Sequence, residues 1–126
     1  MFTLEEHFKV KLDSVFVQER FQKDVFLSIV FLDDEGLLAI NREYLSHDYY
    51  TDIITFAIEE TDEYLEADIY ISLDRVRENA ESFSVFFNDE LLRVAIHGSL
   101  HLCGYKDKTK QEQQEMRKKE DFYLSF

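Results

Sequence analysis

Hydrophobic positions change their period several times along this chain, and each change marks an element. Near the start, Leu12, Val15 and Phe16 have helical spacing, so Leu12 to Gln22 reads as a short helix, with His7 to Val10 before it as a short strand. Val25, Leu27, Ile29 and Phe31 then alternate with Phe26, Ser28, Val30 and Leu32. Both faces of that run are partly apolar, which predicts a buried strand. Asp33-Asp34-Glu35-Gly36 ends it. Leu37, Leu38, Ile40, Tyr44 and Leu45 mark an amphipathic helix. His47 to Tyr50 is a loop, and Asp52 to Ile58 and Ala67 to Ser72 are strands rich in β-branched and aromatic residues.

Beyond Ser72 the pattern is helical. Ser72 is placed to cap a helix with Val76, Ala80 and Phe83 inward. Asn88 or Asp89 caps the next, which runs from Leu91 to about Cys103 and stops near Gly104. Thr109 and Glu112 form a capping-box pattern for a last helix to about Tyr123. Helices alternating with a few strands predict an α+β fold, a small mixed β-sheet packed with helices. There is no proline, repeat or low-complexity tract and there are only 3 glycines, so residues 1–126 read as a single domain.

Composition narrows the class. With 45% hydrophobic and 15% aromatic residues, the 126-residue chain can bury a core, which argues against disorder despite 33% charged residues. One cysteine excludes a disulfide framework or a multi-cysteine zinc ribbon. No apolar run approaches the ~20 residues of a membrane span, and the N-terminus lacks a signal-peptide pattern. The expectation is a cytoplasmic protein. The net charge of −13, from 27 acids against 14 bases, argues against a protein that coats nucleic acid nonspecifically. That charge is uneven. Residues 1–90 carry 22 acids and 7 bases, a net −15, whereas residues 91–126 carry 5 acids and 7 bases, a net +2.

The less acidic part contains the most informative segment. Residues 91–103 are apolar nearly all round, which predicts a central buried helix. His97 and His101 sit in it at i and i+4, on one face and one turn apart, the helical half of many zinc sites. Two buried imidazoles need partners for four ring nitrogens, and one shared metal satisfies two of them. Gly98 follows His97 where a zincin would carry its glutamate, so that general base is absent and a third ligand must come from elsewhere. Asp107, three residues beyond the helix-ending Gly104, is either that ligand or a solvated loop aspartate between Lys106 and Lys108. Cys103 lies about 200° round the helix from His101 and reads as core. His7 and His47 read as structural or surface residues.

These residues carry a family resemblance. His97-Gly98-Ser99-Leu100-His101-Leu102-Cys103-Gly104-Tyr105 resembles the signature of the YbeY family of zinc-dependent bacterial endoribonucleases, His-Gly-x-Leu-His-Leu-x-Gly-Tyr-Asp-His. Asn41-Arg42-Glu43-Tyr44, Thr51-Asp52-Ile53-Ile54-Thr55-Phe56, Asp68-Ile69-Tyr70-Ile71-Ser72, and Glu115-Met116 with Glu120 resemble further family segments in the same order. The resemblance covers about residues 25 to 123, and it implies a longer N-terminal region than this chain shows. It implies a single-strand-specific endoribonuclease acting in ribosomal RNA maturation, at the 3′ end of the small-subunit RNA, and in ribosome quality control. It also implies one Zn²⁺ per chain and ribosomal RNA and the small ribosomal subunit as partners, with neither DNA nor membrane.

Two departures bear on the chemistry. The family's third histidine ligand, six positions after the second, is here Asp107, so the resemblance implies a metal set of His97, His101 and Asp107. Their catalytic role is carried by the water that the metal acidifies. The arginine that usually follows Asn-x-x-Tyr is here Leu45, which touches phosphate handling. Tyr50 and Ala67 replace a usual proline and glycine. The general base is open between Asp48, Asp52 and the metal hydroxide, and Lys106, Lys108 and Lys110 are either phosphate contacts or a solvated loop. A hydrolase of another substrate and a non-catalytic, metal-stabilised ribosome-assembly factor are the alternative readings.

Overall fold

A computed structural model describes residues 4–125. In chain order the elements are α1 (Leu4–Gln18), β1 (Asp24–Leu32), α2 (Asp34–Leu45), β2 (Ile53–Glu60), β3 (Tyr64–Ser72), α3 (Leu73–Phe83), α4 (Phe87–Leu102) and α5 (Lys110–Ser125). The sheet order is β1-β3-β2, with β1 parallel and β2 antiparallel to β3. This is the α+β architecture expected from the sequence, a small mixed sheet packed with helices.

The period-two pattern of the strands decides what covers each face of the sheet. Phe56 of β2 and Tyr70 of β3 make an edge-to-face pair, and Tyr44 of α2 packs edge-on against Phe56. The alternate residues Ile53, Thr55 and Ile69 meet α4 at Gly98, where a Cβ would lie 2.7 Å from Ile53 Cδ1 and 3.1 Å from Thr55 Cγ2. Glycine at 98 therefore sets how closely the helix approaches the sheet. Around α4, the buried Leu12, Val15, Ile69, Ile71, Val76, Met116 and Tyr123 join Val94, Ala95, Ile96 and Leu100 in one core. The predicted central buried helix is α4.

Several local expectations change. Residues 7–10 are helical, because Phe8 extends the stripe of Leu12 and Val15, and α1 stops at Gln18 rather than Gln22. Asp33 does not simply end a strand. Its carboxylate accepts from the Gly36 N–H at 2.7 Å as the N-cap of α2, with Asp34 and Glu35 in the favourable first turn. The strand expected to be buried, β1, lies at the sheet edge with Phe26 and Phe31 exposed, because local alternation does not encode strand order. Phe83 is exposed. Helix α4 starts at Phe87, so Asn88 and Asp89 lie inside it and no side chain caps it. Cys103 is only partly buried. Ser72 does cap α3, and Thr109 and Glu112 do form a reciprocal box at the start of α5.

Candidate metal centre

Helix α4 places His97 and His101 one turn apart, and their rings meet edge to face with centroids 4.5 Å apart. Each ring is oriented from behind. His97 Nδ1 lies 2.7 Å from Glu120 Oε2 on α5, and His101 Nδ1 lies 2.8 Å from the Tyr105 carbonyl oxygen. A carbonyl only accepts, so His101 carries its hydrogen on Nδ1, and the Glu120 carboxylate sets the same tautomer in His97. Both Nε2 lone pairs then point to one place, 3.0 Å apart.

The chain completes the cluster after Gly104, whose positive φ of 107° turns the backbone out of the helix and leads to Asp107. Asp107 Oδ2 lies 3.2 Å from His97 Nε2 and 3.5 Å from His101 Nε2. Three electron-rich atoms therefore converge and repel one another unless a cation lies among them. Ligands held ~2.0–2.2 Å from zinc at tetrahedral angles lie about 3.3 Å apart, close to these separations. The donor set fits a divalent metal, and His97, His101 and Asp107 form a group able to hold one.

A second layer holds this group. Glu120 is almost fully buried, accepts from Arg93 Nη1 at 3.1 Å, and has Arg117 3.7 Å away. Burial lowers the His97 pKa, but the hydrogen bond and charge of Glu120, with Asp107 and Asp52 behind, outweigh it and leave the group above its ordinary value. Protons and metal therefore compete at this ring. Behind Tyr105, its hydroxyl donates to Glu19 Oε1 at 2.6 Å, Lys119 Nζ lies 3.1 Å from Glu19 Oε2, and the Tyr123 hydroxyl donates to the same oxygen.

The cluster opens into a cavity of about 350 Å³. Asp52, at the entry to β2, lines it. Burial raises the Asp52 carboxyl above its ordinary value, against the pull of His97 and of the Asn79 amide, which donates at 3.3 Å. Asp48 instead pairs with Arg42 on an exposed loop and is not among the cavity-lining residues. Leu45 lines the cavity at the position of the family's arginine, and so does His47, while His7 is exposed on α1. Lys106, Lys108 and Lys110 are exposed around Asp107. Sequence reading missed Glu120, the Tyr105 carbonyl, Tyr49 and Glu19. Of these, Tyr105 and Glu120 left a signal, as matches to the family's histidine signature and last helix.

The profile of the family described as Endoribonuclease YbeY matches residues 1–126. Proteins named Endoribonuclease YbeY are 57% identical over 97 residues in Christiangramia forsetii and 54% identical over 99 residues in Cytophaga hutchinsonii. Those matches cover 75% and 79% of this chain, and 66% and 69% of the relatives, so the chain spans about two thirds of their length. A third, from Karelsulcia muelleri, is 46% identical over 119 residues, 94% of this chain and 79% of that one. The solution structure of a Thermotoga maritima protein matches with a TM-score of 0.68 at 33% identity, covering 97% of this chain and 79% of that one.

Proposed function

Since the chain belongs to the Endoribonuclease YbeY family, we propose that it is a zinc-dependent endoribonuclease that hydrolyses single-stranded ribosomal RNA during maturation of the small subunit. The convergence of His97 Nε2, His101 Nε2 and Asp107 Oδ2 within 3.5 Å of one another carries this reading. His97, His101 and Asp107 would hold the metal. The chemistry that a bound zinc supplies is Lewis acidity toward water and toward a phosphoryl oxygen.

The chain's own residues do the rest. Glu120 and the Tyr105 carbonyl fix both imidazoles in the tautomer that presents Nε2 to the cavity. Asp52, whose carboxyl burial raises above its ordinary value and which lines the cavity, is the group to take a proton from attacking water. Lys106, Lys108 and Lys110 are exposed beside Asp107, where they could meet RNA phosphates. The acid-rich run Glu59 to Asp68 belongs to β2, β3 and their turn. RNA would therefore approach the side carrying the lysine loop. We take residues 1–126 as one functional domain, acting in the cytoplasm with the ribosome. Among the described residues, no helix is long and apolar enough to cross a membrane.

The test joins metal content to cleavage. Zinc near one per chain, with cleavage of precursor ribosomal RNA that disappears in His97→Ala and His101→Ala, is the expected result. Full zinc content in Asp107→Ala would remove Asp107 from the ligand set. Ribosome binding by metal-loaded protein without cleavage would turn the reading into a non-catalytic assembly factor.

A further inference from the structure

We propose that Leu45, His47 and Tyr49 form a stacking subsite for one unpaired nucleobase of the RNA strand. The inference rests on the endoribonuclease reading and specifies how that site selects its substrate. All three residues line the cavity that contains His97, His101 and Asp107.

The first observation is a ready-made aromatic platform. The His47 and Tyr49 rings lie 21° from parallel with centroids 5.1 Å apart, and the Tyr49 hydroxyl is 3.0 Å from His47 Nδ1. Tyr49 is nevertheless 56% exposed. The pair presents ring surface that no protein group covers fully, and nucleobases stack on such surfaces.

The second observation is that the platform is held in place. Asn41, buried in α2, donates from its amide to the Tyr49 carbonyl at 2.9 Å. The Asn41 backbone carbonyl accepts from the backbone N–H groups of Ser46 and His47, the latter at 3.1 Å. Asn41 thus anchors the loop at both ends, and Arg42 pairs with Asp48 between them. A preordered surface loses little entropy when a ligand settles on it.

The third observation is chemical. Among the described residues, no lysine or arginine lines the cavity, and the α2 side contributes the alkyl chain of Leu45. A phosphate finds no permanent cation on this wall, whereas a base finds π faces and an apolar edge. At about 350 Å³ the cavity is at the small end of ligand clefts, which run about 300–1,000 Å³, so it suits one splayed nucleotide rather than a duplex. Stacking tolerates any base, and paired bases are already stacked and covered. The platform therefore selects for unpaired strand, not for sequence.

Steady-state cleavage of a single-stranded hexaribonucleotide by the zinc-loaded full chain tests this. Tyr49→Ala should raise KM about 10-fold with little change in kcat, at unchanged zinc content and circular dichroism. Tyr49→Phe keeps the ring and should stay within about 2-fold of wild type. His47→Ala, a second variant should Tyr49→Ala fail to fold, should raise KM by about 3-fold or more. An unchanged KM in folded Tyr49→Ala or His47→Ala overturns the subsite while the endoribonuclease reading stands. So does a KM in Tyr49→Phe raised as far as in Tyr49→Ala, which would assign the effect to the hydroxyl. Absence of cleavage by wild-type protein overturns both.

Discussion

The turn between α4 and α5 serves two clusters that settle their charge in opposite ways. On one side, His97, His101 and Asp107 bring three possible metal-donor atoms within 3.5 Å of one another. On the other, the Glu19 carboxylate is saturated by Tyr105, Tyr123 and Lys119. Tyr105 belongs to both, giving its carbonyl to His101 and its hydroxyl to Glu19. One cluster offers its donor atoms to a guest cation, and the other is satisfied as it stands. The closed cluster braces the segment from which the open one is built.

That contrast is sharpened first at Glu120, which orients the His97 ring on the open side. Glu120→Gln keeps the shape but weakens the acceptor for His97 Nδ1 and leaves Arg93 short of a counter-charge. Zinc affinity, read by competition with a chelator, should fall about 10–100-fold. An unchanged affinity would mean that the ring holds its orientation without the carboxylate.

A smaller effect on zinc, and a clear one on stability, is expected at Glu19. Burial raises its carboxyl, but the bonds from Tyr105, Tyr123 and Lys119 outweigh burial and hold it below the ordinary 4.5. Its stabilisation is therefore fully present above pH 4.5 and is lost as pH falls through the lower folded value. Glu19→Gln should cost about 1–2 kcal/mol at pH 7, and the Tm gap to wild type should close below pH 4.5. A gap that stays constant with pH would show that the cluster does not act through its charge. The smallest change is expected at Thr109, whose hydroxyl accepts from the Glu112 N–H at 3.1 Å. Thr109→Ala should cost about 1 kcal/mol by thermal unfolding and leave zinc affinity within about 2-fold. A larger loss of zinc would mean that the cap of α5, rather than Tyr105, sets the position of Asp107.

How much of this was legible follows from sequence distance. The histidine pair, the Ser72 cap and the Thr109–Glu112 box each depend on residues three or four apart, so local pattern is enough to find them. Asp107 needed only a turn after Gly104 and the family's register. Glu120 and Glu19 reach the centre across 23 and 86 positions, through contacts that no period encodes. The same limit hid β1 at the sheet edge, since Val25 to Leu32 alternate alike in either position. Helix α4 begins at Phe87 without a side-chain cap, so the polar residues after it gave a false start.

The spacing of the donor atoms along the chain also bears on loop closure. His97, His101 and Asp107 fall within a single stretch of eleven residues, so gathering them closes a short loop at low entropic cost. Leu45, His47, Tyr49 and Asp52 lie more than forty residues upstream of that stretch, so bringing the cavity wall to it closes a longer loop. The three candidate metal donors thus share one local segment, and the wall opposite them comes from a distant one. A bound metal would call on the first segment alone, whereas an RNA strand would call on both.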